Sequence, residues 1–416
     1  MRPAPFTGDP DLVVKIADPL LMREINKYHV LETIREHGRI SRVEISERTL
    51  LSGTTVSAIT GALVEEGLIA ATHTEPNGEA QRGRPRVLLS LVGDAAYVLG
   101  IKISETMTTV TLVDFRGEVV ESVQLPARLA RQPVEVIVDL IEDVVDDCVG
   151  KSGVDRSRIR GIGIGVPGIV DPRSGKSYAS SVFGEREIPI GSLLAERTGL
   201  PVKLEKPANL VALAESWFGA ARHDKSFAVV VLDHTASLAL WLEQDLHRGA
   251  SALGPAFGHI KVGQHGRRCE CGQDDCLNAH IGLGATRRQA EEALGAEFLS
   301  RVNGADLREG LAEAAEAGDN RARALLEQQA SVLGYALSHI INLVNPGKII
   351  VALESPRFGE AIMPTLSATA AANSFRAHFA ATRIIAHTLD DELWARGAAA
   401  LMLRDIYSAP WAAQSY

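Results

Sequence analysis

The sequence predicts an α/β protein built from two unequal parts. A short series of helical patterns followed by two strand patterns stands near the start, and strand runs followed by helices occur twice, from residues 97 and 227 onwards. Hydrophobic residues make up 46% and charged residues 23% of the 416 residues, which excludes a disordered chain or a fibre. A chain of this length can bury a large core without disulfides.

The net charge of −9 and the four cysteines exclude further classes of protein. Overall negative charge argues against a surface coated in basic residues for nucleic acid or membrane, but it leaves room for one small basic surface. Three of the four cysteines lie within eight residues, which favours a metal site and a reducing compartment over a disulfide scaffold. We expect a cytoplasmic protein without a membrane-spanning segment, because no long apolar stretch and no signal-peptide core is present.

Residues 1–20 contain four prolines and few periodic apolar positions, which indicates a flexible arm. After this arm, an apolar stripe at helical spacing predicts a helix that stops before Gly38. A second, short helix fits residues 41–49, because Ser41 and Glu44 have the spacing of a capping box.

Apolar residues in the next segments predict which helix faces are buried. Val43 and Ile45 are the inward residues expected of the second helix. A turn at residues 50–53 leads into a third helix over about residues 54–66, which ends at Gly67. Its expected inward residues are Val56, Ile59, Leu63 and Val64.

Residues 70–91 predict two short strands around a polar loop, so residues 21–92 have the pattern of a winged helix-turn-helix domain. In such a domain the third helix lies in the major groove, and the loop between the strands forms a wing beside it. Hydroxyl side chains at the start of the helix can reach phosphates and base edges, and wing arginines can enter a narrow minor groove. The predicted DNA-binding residues are Ser52, Thr54, Thr55, Ser57, Arg82, Arg84 and Arg86.

The alternative interpretation is a helical domain that contacts protein alone and carries a solvated run of arginines. Residues 1–91 hold 11 basic and 12 acidic side chains, so an interaction with DNA depends on the local arginines. Tight binding would then need a dimer.

Residues 93–416 predict strands that alternate with helices. Two blocks of strands, each followed by helices, predict two α/β lobes with a cleft between them, as in the actin-like, ribonuclease-H-type fold. A plain doubly wound sheet is the alternative. The strand runs are 97–103, 108–114, 119–125, 159–166, 202–205, 227–233, 237–243 and 348–353, and the main helical runs are 133–149, 193–197, 208–219, 322–344 and about 360–369.

A histidine and three cysteines lie close together in residues 258–278. One imidazole and three thiolates complete the tetrahedral shell of a zinc ion, and four protein ligands leave no position for a substrate. We therefore expect a structural zinc ion rather than a catalytic one. His265 is an alternative nitrogen ligand, and the preferred ligands are His259, Cys269, Cys271 and Cys276.

These features together resemble the ROK family of repressors, open reading frames and sugar kinases. The resemblance covers nearly the whole chain and rests on the winged helix with its Gly-Arg-Pro wing, on GIGIGVPGIVD at residues 161–171 and on the histidine and cysteine cluster. Ala-Asn at 208–209 and NLVNP at 342–346 add to it. The winged helix assigns the chain to the repressor branch, and the family implies a two-lobed actin-like domain over residues 93–416.

The resemblance also implies that the kinase chemistry is lost. Family kinases hold ATP phosphates with an Asp-x-Gly-Gly-Thr hairpin, whereas residues 102–106 read KISET. The other two glycine loops are replaced by HTASL at 234–238 and by Ala-Leu at 352–353. The aspartate that serves as general base corresponds to Pro207, which has no proton-accepting side chain. We therefore expect no catalytic residue and no phosphoryl transfer.

The sugar contacts that the family implies are reduced as well. Two glutamates of the family correspond to Ala256 and Asn278, and of the usual sugar contacts His259 remains clearly. If Lys102 and Lys206 both face the cleft, they favour an anionic ligand. The expected effector-binding residues are Lys206, Asn209, His259 and Asn278.

The sequence thus predicts a zinc-containing transcriptional repressor that binds a double-stranded DNA operator as a homodimer or homotetramer. Its ROK domain would provide oligomerisation and sense a small-molecule effector, such as a sugar or sugar derivative. Two alternatives stay open: a sugar kinase with an appended domain, and a non-enzymatic carbohydrate-binding module whose winged helix contacts only protein.

Overall fold

The structure is a computed structural model of the 416-residue chain. The chain divides into two compact units, one formed by residues 1–95 with 404–416 and the other by residues 96–403. The predicted wing, and all but the last two residues of the predicted arm, lie outside the residues that the structure describes. The described residues are 19–73, 87–263, 266–302 and 307–407.

Within residues 19–73 and 87–95, the first unit has three helices and a small sheet, the fold of a winged helix-turn-helix domain. Its elements are α1 (Pro19–His37), β1 (Ile40–Ser41), α2 (Arg42–Thr49), α3 (Gly53–Glu65), β2 (Ile69–His73) and β3 (Val87–Leu91). The strands are ordered β1-β3-β2, and both pairings are antiparallel.

Local sequence signals set the helix ends in this unit. The Ser41 side chain accepts a hydrogen bond from the amide of Glu44, and the Ser41 amide donates to the Glu44 carboxylate at 2.9 Å. The predicted capping box is therefore present. Gly38 follows α1 and Gly67 lies beyond the end of α3, both with a φ of 72°, a conformation that glycine adopts without strain.

The prediction that Val43 and Val64 point inward is wrong. Ile45 is buried, but Val43 is 67% exposed, because residues two apart on a helix point in nearly opposite directions. Val64 is 39% exposed, whereas its neighbour Leu63 is buried, since adjacent residues differ by about 100° around the helix. The third helix also begins one residue earlier than predicted, at Gly53.

The larger unit begins with a lobe built on one five-stranded sheet. In chain order its elements are β4 (Tyr97–Ile103), β5 (Met107–Asp114), β6 (Val119–Pro126), α4 (Val134–Ser152), β7 (Ile159–Gly165), β8 (Ile169–Asp171), β9 (Lys176–Ala179), α5 (Ile190–Thr198), β10 (Val202–Glu205) and α6 (Pro207–Trp217). The short β8–β9 hairpin was not predicted and forms a separate two-stranded sheet.

A second lobe follows, with a sheet of five strands and most of the helices. Its elements are β11 (Phe227–Leu232), β12 (Ala236–Leu242), β13 (Asp245–Leu246), α7 (Asn278–Ile281), α8 (Leu283–Leu294), α9 (Ala296–Arg301), α10 (Leu307–Glu316), α11 (Asn320–Val344), β14 (Lys348–Leu353), α12 (Pro356–Asn373), α13 (Arg376–Ala381) and β15 (Arg383–Thr388). The last described helix, α14 (Asp391–Tyr407), follows β15 and returns to the sheet of the first lobe. Among the described helices, none is long and apolar enough to cross a membrane.

The two large sheets share one topology. The first is ordered β6-β5-β4-β7-β10 and the second β13-β12-β11-β14-β15. In each, three antiparallel strands are followed by two strands that extend the sheet in parallel. This repetition is the two-lobed actin-like, ribonuclease-H-type fold, as predicted, and it excludes a single doubly wound sheet. Each lobe has its own apolar core between its sheet and its helices.

Glycines let α14 approach the first sheet closely. A Cβ on Gly163 would lie 1.8 Å from the carbonyl oxygen of Ala398, and a Cβ on Gly100 would lie 1.8 Å from that of Ala395. Both distances are far below any van der Waals contact, so no larger residue fits. Within the run at residues 161–165, Gly163 therefore serves helix-on-sheet packing rather than a ligand.

Candidate functional site

The first half of α3 carries the predicted DNA contacts that the structure describes. Thr54 and Ser57 are exposed, and within the described residues their hydroxyls form no hydrogen bond. The Ser52 hydroxyl instead caps the helix: it accepts the amide of Thr55 at 3.1 Å and lies 2.8 Å from the Thr55 hydroxyl. Among these side chains, the hydroxyls of Thr54 and Ser57 are therefore the ones available to a binding partner. The wing residues Arg82, Arg84 and Arg86 lie outside the described residues.

The four predicted metal ligands come together. Their ligand atoms all lie within 4.8 Å of one another: His259 Nδ1 is 3.8 Å from Cys269 Sγ, and Cys271 Sγ is 3.7 Å from Cys276 Sγ. Ligands placed about 2.3 Å from a central ion at tetrahedral angles lie about 3.8 Å apart. The group therefore has the dimensions of a tetrahedral metal shell and could bind a metal ion. His265, the alternative ligand, lies outside the described residues.

Short-range hydrogen bonds shape the loop that carries the three cysteines. The amide of Cys269 donates to the carbonyl of Gln273 at 2.8 Å, and the amide of Gly272 donates to the carbonyl of Cys269 at 2.9 Å. Gly272 has a φ of 89°, which a residue with a side chain rarely adopts. The buried carboxylate of Asp275 accepts the amide of Gly266 at 2.9 Å. Hydrogen bonds between residues that are close in the sequence thus hold the sulfur atoms in place.

A lysine and a backbone amide near the cysteines favour the thiolate form, whereas burial of Cys276 opposes it. The Lys261 ammonium lies 3.6 Å from Cys276 Sγ and donates to the carbonyl of Asp274. A backbone hydrogen bond from Gln273 lowers the pKa of the Cys271 thiol. Burial raises the pKa of Cys276 to about 11, so this thiol needs nearby positive charge to ionise. Lys261 supplies part of that charge, and a bound cation would supply the rest.

The β4–β5 hairpin, which by resemblance corresponds to the phosphate-binding hairpin of the family kinases, is closed by one of its own side chains. The Ser104 hydroxyl accepts the amides of Thr106 and Met107 at 3.4 and 3.0 Å. Phosphate-binding hairpins use such amides to hold the ligand. Here those amides are already bonded within the chain.

Lys102, at the end of β4, is buried and paired. Its ammonium forms an ion pair with Asp391 at the start of α14 and lies 4.1 Å from the centroid of the Trp394 ring. The expectation that Lys102 adds positive charge for a ligand is therefore wrong, because the fold supplies the compensating carboxylate.

Two carboxylates near Lys102 would repel a phosphate group. Asp233 follows β11 and Glu354 follows β14. Burial, and then the charge of Asp233, raise the pKa of Glu354. The buried Arg308 donates to the backbone carbonyls of Leu232 and Asp233 at 3.3 and 2.7 Å, so its side chain holds the end of the strand.

Two of the four expected effector residues, Lys206 and Asn278, contact the first half of β12. The Asn278 side chain accepts the amide of Ala236 at 2.8 Å, and the Lys206 ammonium donates to the carbonyl of Leu238 at 3.2 Å. Backbone groups of residues two apart in a strand point to the same edge. Asn278 and Lys206 therefore reach one edge of β12. His259 is exposed, and its neighbour Gly258 lies against Asn278.

A buried ionic group that was not predicted adjoins this edge. Glu205 is 1% exposed and accepts hydrogen bonds from Asn209 Nδ2 at 2.9 Å and from Arg248 Nε at 3.0 Å. Burial lowers the pKa of Lys206 to about 8. The sequence could have indicated Glu205 as a member of this group, because it directly precedes Lys206. It could not have indicated Arg248, because 43 residues separate Arg248 from Glu205.

Comparisons with known proteins agree with this architecture. A family profile described as "ROK family" matches residues 98–405, and one described as "Winged helix-turn-helix DNA-binding" matches residues 23–70. A xylose repressor of Caldicellulosiruptor bescii is 27% identical over 395 residues, which cover 94% of this chain and 98% of that protein. The DNA-binding transcriptional repressor Mlc of Escherichia coli is 27% identical over 349 residues, with 83% and 85% covered.

Solved structures share the fold. A crystal structure of a ROK family transcriptional regulator, a homologue of the E. coli MLC protein, has a TM-score of 0.78 at 23% identity and covers 93% of this chain and 97% of its own. A ROK family glucokinase from Streptomyces griseus has a TM-score of 0.62 at 24% identity and covers 74% of this chain and 99% of its own. The regulator's fold extends over nearly the whole chain, and the kinase's fold over three quarters of it.

Proposed function

Because the chain belongs to the ROK family, we propose that it is a DNA-binding transcriptional repressor that acts on a double-stranded operator. The observation that carries this proposal is the combination of a winged helix-turn-helix unit with a kinase-like body whose hairpin amides are bonded by Ser104. The relatives named as repressors support it, and the match to the xylose repressor of Caldicellulosiruptor bescii is long enough to include most of the N-terminal unit.

In this proposal, residues 21–92 bind DNA, and residues 93–416 provide oligomerisation and effector sensing. The start of α3 enters the major groove, where Thr54 and Ser57 contact phosphates or base edges, and the wing arginines lie beside it. A homodimer presents two such helices to half-sites about 34–36 Å apart. An effector would act by changing that separation. A protein with this role works in the cytoplasm.

A selection of genomic DNA fragments on the full-length chain tests the proposal. We expect a specific fragment to be retained and its affinity to fall steeply as salt increases, because phosphate contacts release counterions. Ser57→Glu should weaken binding about 10- to 100-fold, since a carboxylate at the groove repels phosphate. His29→Glu introduces the same charge at an exposed position of α1 and is the matched control. Retention of no specific fragment, or equal effects of both variants, would contradict DNA recognition by α3.

We also infer that the body transfers no phosphoryl group. The base position of the family is Pro207, the first residue of α6, and the phosphate hairpin is bonded internally. Incubation of the full chain with ATP and a panel of hexoses should release no ADP beyond the rate without sugar. Turnover that depends on a sugar would overturn this inference and favour a kinase.

We further infer that the histidine and three cysteines hold a structural zinc ion. The purified chain should contain about one zinc per molecule. Cys271→Ser should lose it, because removal of one thiolate opens the tetrahedral shell, and Cys271 is exposed, so the change leaves no core cavity. Cys148→Ala, at a buried cysteine of the first lobe, should keep the zinc. Elemental analysis of the three proteins is the measurement, and full zinc content in Cys271→Ser would refute this ligand set.

A further inference from the structure

We propose that Asp275 is a positioning residue for the metal site and that the buried His280 orients its carboxylate. In this role Asp275 is not a ligand itself. It holds the segments that carry the ligands in the arrangement that binds zinc, and it thereby sets how tightly the chain binds the ion. The inference rests on the proposed structural zinc ion and goes beyond the ligand set of that proposal.

The Asp275 carboxylate joins two segments that carry different ligands. It stands next to Cys276, yet its two oxygen atoms accept the amides of Gly266 at 2.9 Å and Arg267 at 3.1 Å, in the segment that leads to Cys269. The main chain repeats this connection, since the Asp275 amide donates to the carbonyl of Arg267 at 2.8 Å. Asp275 therefore fixes the spacing between the segments that precede two of the cysteines.

The main chain of Asp275 reaches the segment of the histidine as well. Its carbonyl accepts the amide of Val262 at 3.1 Å, three residues beyond His259. Asp275 adopts a left-handed conformation with a φ of 55°, which side chains disfavour. Glycine would adopt this conformation without strain, so the backbone conformation alone does not account for an aspartate here. The hydrogen bonds of its carboxylate do.

A buried imidazole fixes the orientation of this carboxylate. His280, on α7, is 4% exposed, and its Nε2 lies 3.3 Å from Asp275 Oδ1. Because a carboxylate can only accept, the imidazole donates from Nε2. The main-chain carbonyl of His280 accepts Gln289 Nε2 at 2.9 Å, and Gln289 Oε1 accepts Gln329 Nε2 at 3.1 Å. The metal loop is thus connected through buried polar groups to α8 and α11.

The carboxylate of Asp275 belongs outside the metal shell. Four other ligand atoms form a group of tetrahedral dimensions without it. Both of its oxygen atoms already accept hydrogen bonds from the chain. A group that holds the segments around a metal site reduces the freedom that these segments lose on binding, so it raises the affinity. Loss of such outer groups typically weakens metal binding about 10- to 100-fold.

Competition for zinc between the full-length chain and a chromophoric chelator tests this inference. Asp275→Gly removes the carboxylate and relieves the left-handed backbone, so backbone strain cannot explain weaker binding. We expect its zinc affinity to fall about 10- to 100-fold. Asp275→Asn keeps one acceptor oxygen and tolerates a positive φ, so it should lose less affinity than Asp275→Gly.

Two further variants separate the positioning role from the effect of charge. Asp274→Asn removes the same charge from the adjacent exposed residue and is the matched control, so it should bind zinc as tightly as the original chain. His280→Phe removes the donor to Asp275 and should weaken zinc binding less than Asp275→Gly does. Combined with Asp275→Gly it should cause no further loss, because His280 acts through Asp275.

Two readouts distinguish a positioning residue from a ligand and from a residue that stabilises the fold in general. The absorption of bound cobalt depends on its ligands, so cobalt-loaded Asp275→Gly should have the same spectrum as the cobalt-loaded original chain. In urea unfolding, Asp275→Asn should differ more from the original chain with zinc than with zinc chelated, because zinc stabilises the chain that binds it more tightly to a greater extent.

Three results would overturn the inference: unchanged zinc affinity in Asp275→Gly, an altered cobalt spectrum in that variant, or an equal loss of stability in Asp275→Asn with and without zinc. The second result would make Asp275 a ligand, and the third would give it a general structural role. Each of them leaves the proposed zinc ion in place. An original chain that contains no zinc would reject both proposals, and elemental analysis reads this separately.

Discussion

Two lysines of the large unit, Lys102 and Lys206, show how differently the fold can treat a partly or fully buried ammonium group. Lys102 stands at the end of β4, where the resemblance to family kinases implies an acid, and its charge is paired with Asp391 and covered by Trp394. Lys206 stands between β10 and α6, and its ammonium meets a carbonyl of β12 instead of a carboxylate. The first lysine has a carboxylate partner supplied by a distant helix, and the second has a backbone carbonyl as its hydrogen-bond partner.

The largest effect is expected when the ion pair between Lys102 and Asp391 is broken. Asp391→Asn removes the carboxylate that pairs with the buried Lys102 ammonium, so the free energy of unfolding should fall by about 2–3 kcal/mol. The double variant Lys102→Met/Asp391→Asn should recover much of this loss, because neither position then carries a charge. Urea unfolding of the full chain measures both. An Asp391→Asn chain as stable as the original would show that the ion pair does not compensate Lys102.

An intermediate effect concerns the protonation of the second lysine. Burial lowers the pKa of Lys206 to about 8, with Glu205 and Arg248 as the charged groups that act on it. Raising the pH from 7 to 9 removes its positive charge in the folded chain, whereas a lysine of the unfolded chain keeps its proton up to about pH 10. The free energy of unfolding should therefore rise from pH 7 to 9 relative to that of Lys206→Met, because the unfolded chain binds more protons than the folded one. Urea unfolding of both chains at several pH values measures this difference, and parallel pH profiles would show that burial does not disfavour the Lys206 ammonium.

The smallest effect is expected for the free energy of unfolding when Lys206 is replaced. Lys206→Met removes an ammonium that burial disfavours, so the free energy of unfolding at pH 7 should stay within about 1 kcal/mol of the original or rise. Urea unfolding beside Asp391→Asn provides the comparison. A loss as large as that of Asp391→Asn would mean that the hydrogen bond from Lys206 to Leu238 stabilises the fold as much as the Lys102 ion pair does.

Local features of the chain were predictable because their partners are close in sequence. The capping box at Ser41 and Glu44 was confirmed, since three residues of spacing fix its geometry. The metal group was confirmed in its proximity, since a tight loop carries three of its four members. The inward assignment of Val43 was wrong because an eight-residue helix with two candidate apolar positions does not define its buried face.

The long-range pairs could not be predicted in this way. Asp391 lies 289 residues from Lys102, and Arg248 lies 43 residues from Glu205. Nothing in the local pattern of Lys102 or Lys206 distinguishes a paired lysine from an unpaired one. The use of Gly163 for the packing of α14 also depends on a helix more than two hundred residues away.

The sequence by itself determined the family, the winged helix-turn-helix unit, the two α/β lobes, the cysteine and histidine group and the loss of the kinase motifs. Periodicity, capping and short spacings carry these features, and they act over a few residues along the chain. Only the tertiary structure decided which charges are compensated. Electrostatic and hydrogen-bonding partners are chosen by distance in space, and the fold sets that distance. It paired Lys102 with Asp391 and directed the Lys206 ammonium to the carbonyl of Leu238, so that one lysine has a carboxylate partner and the other has none within the described residues.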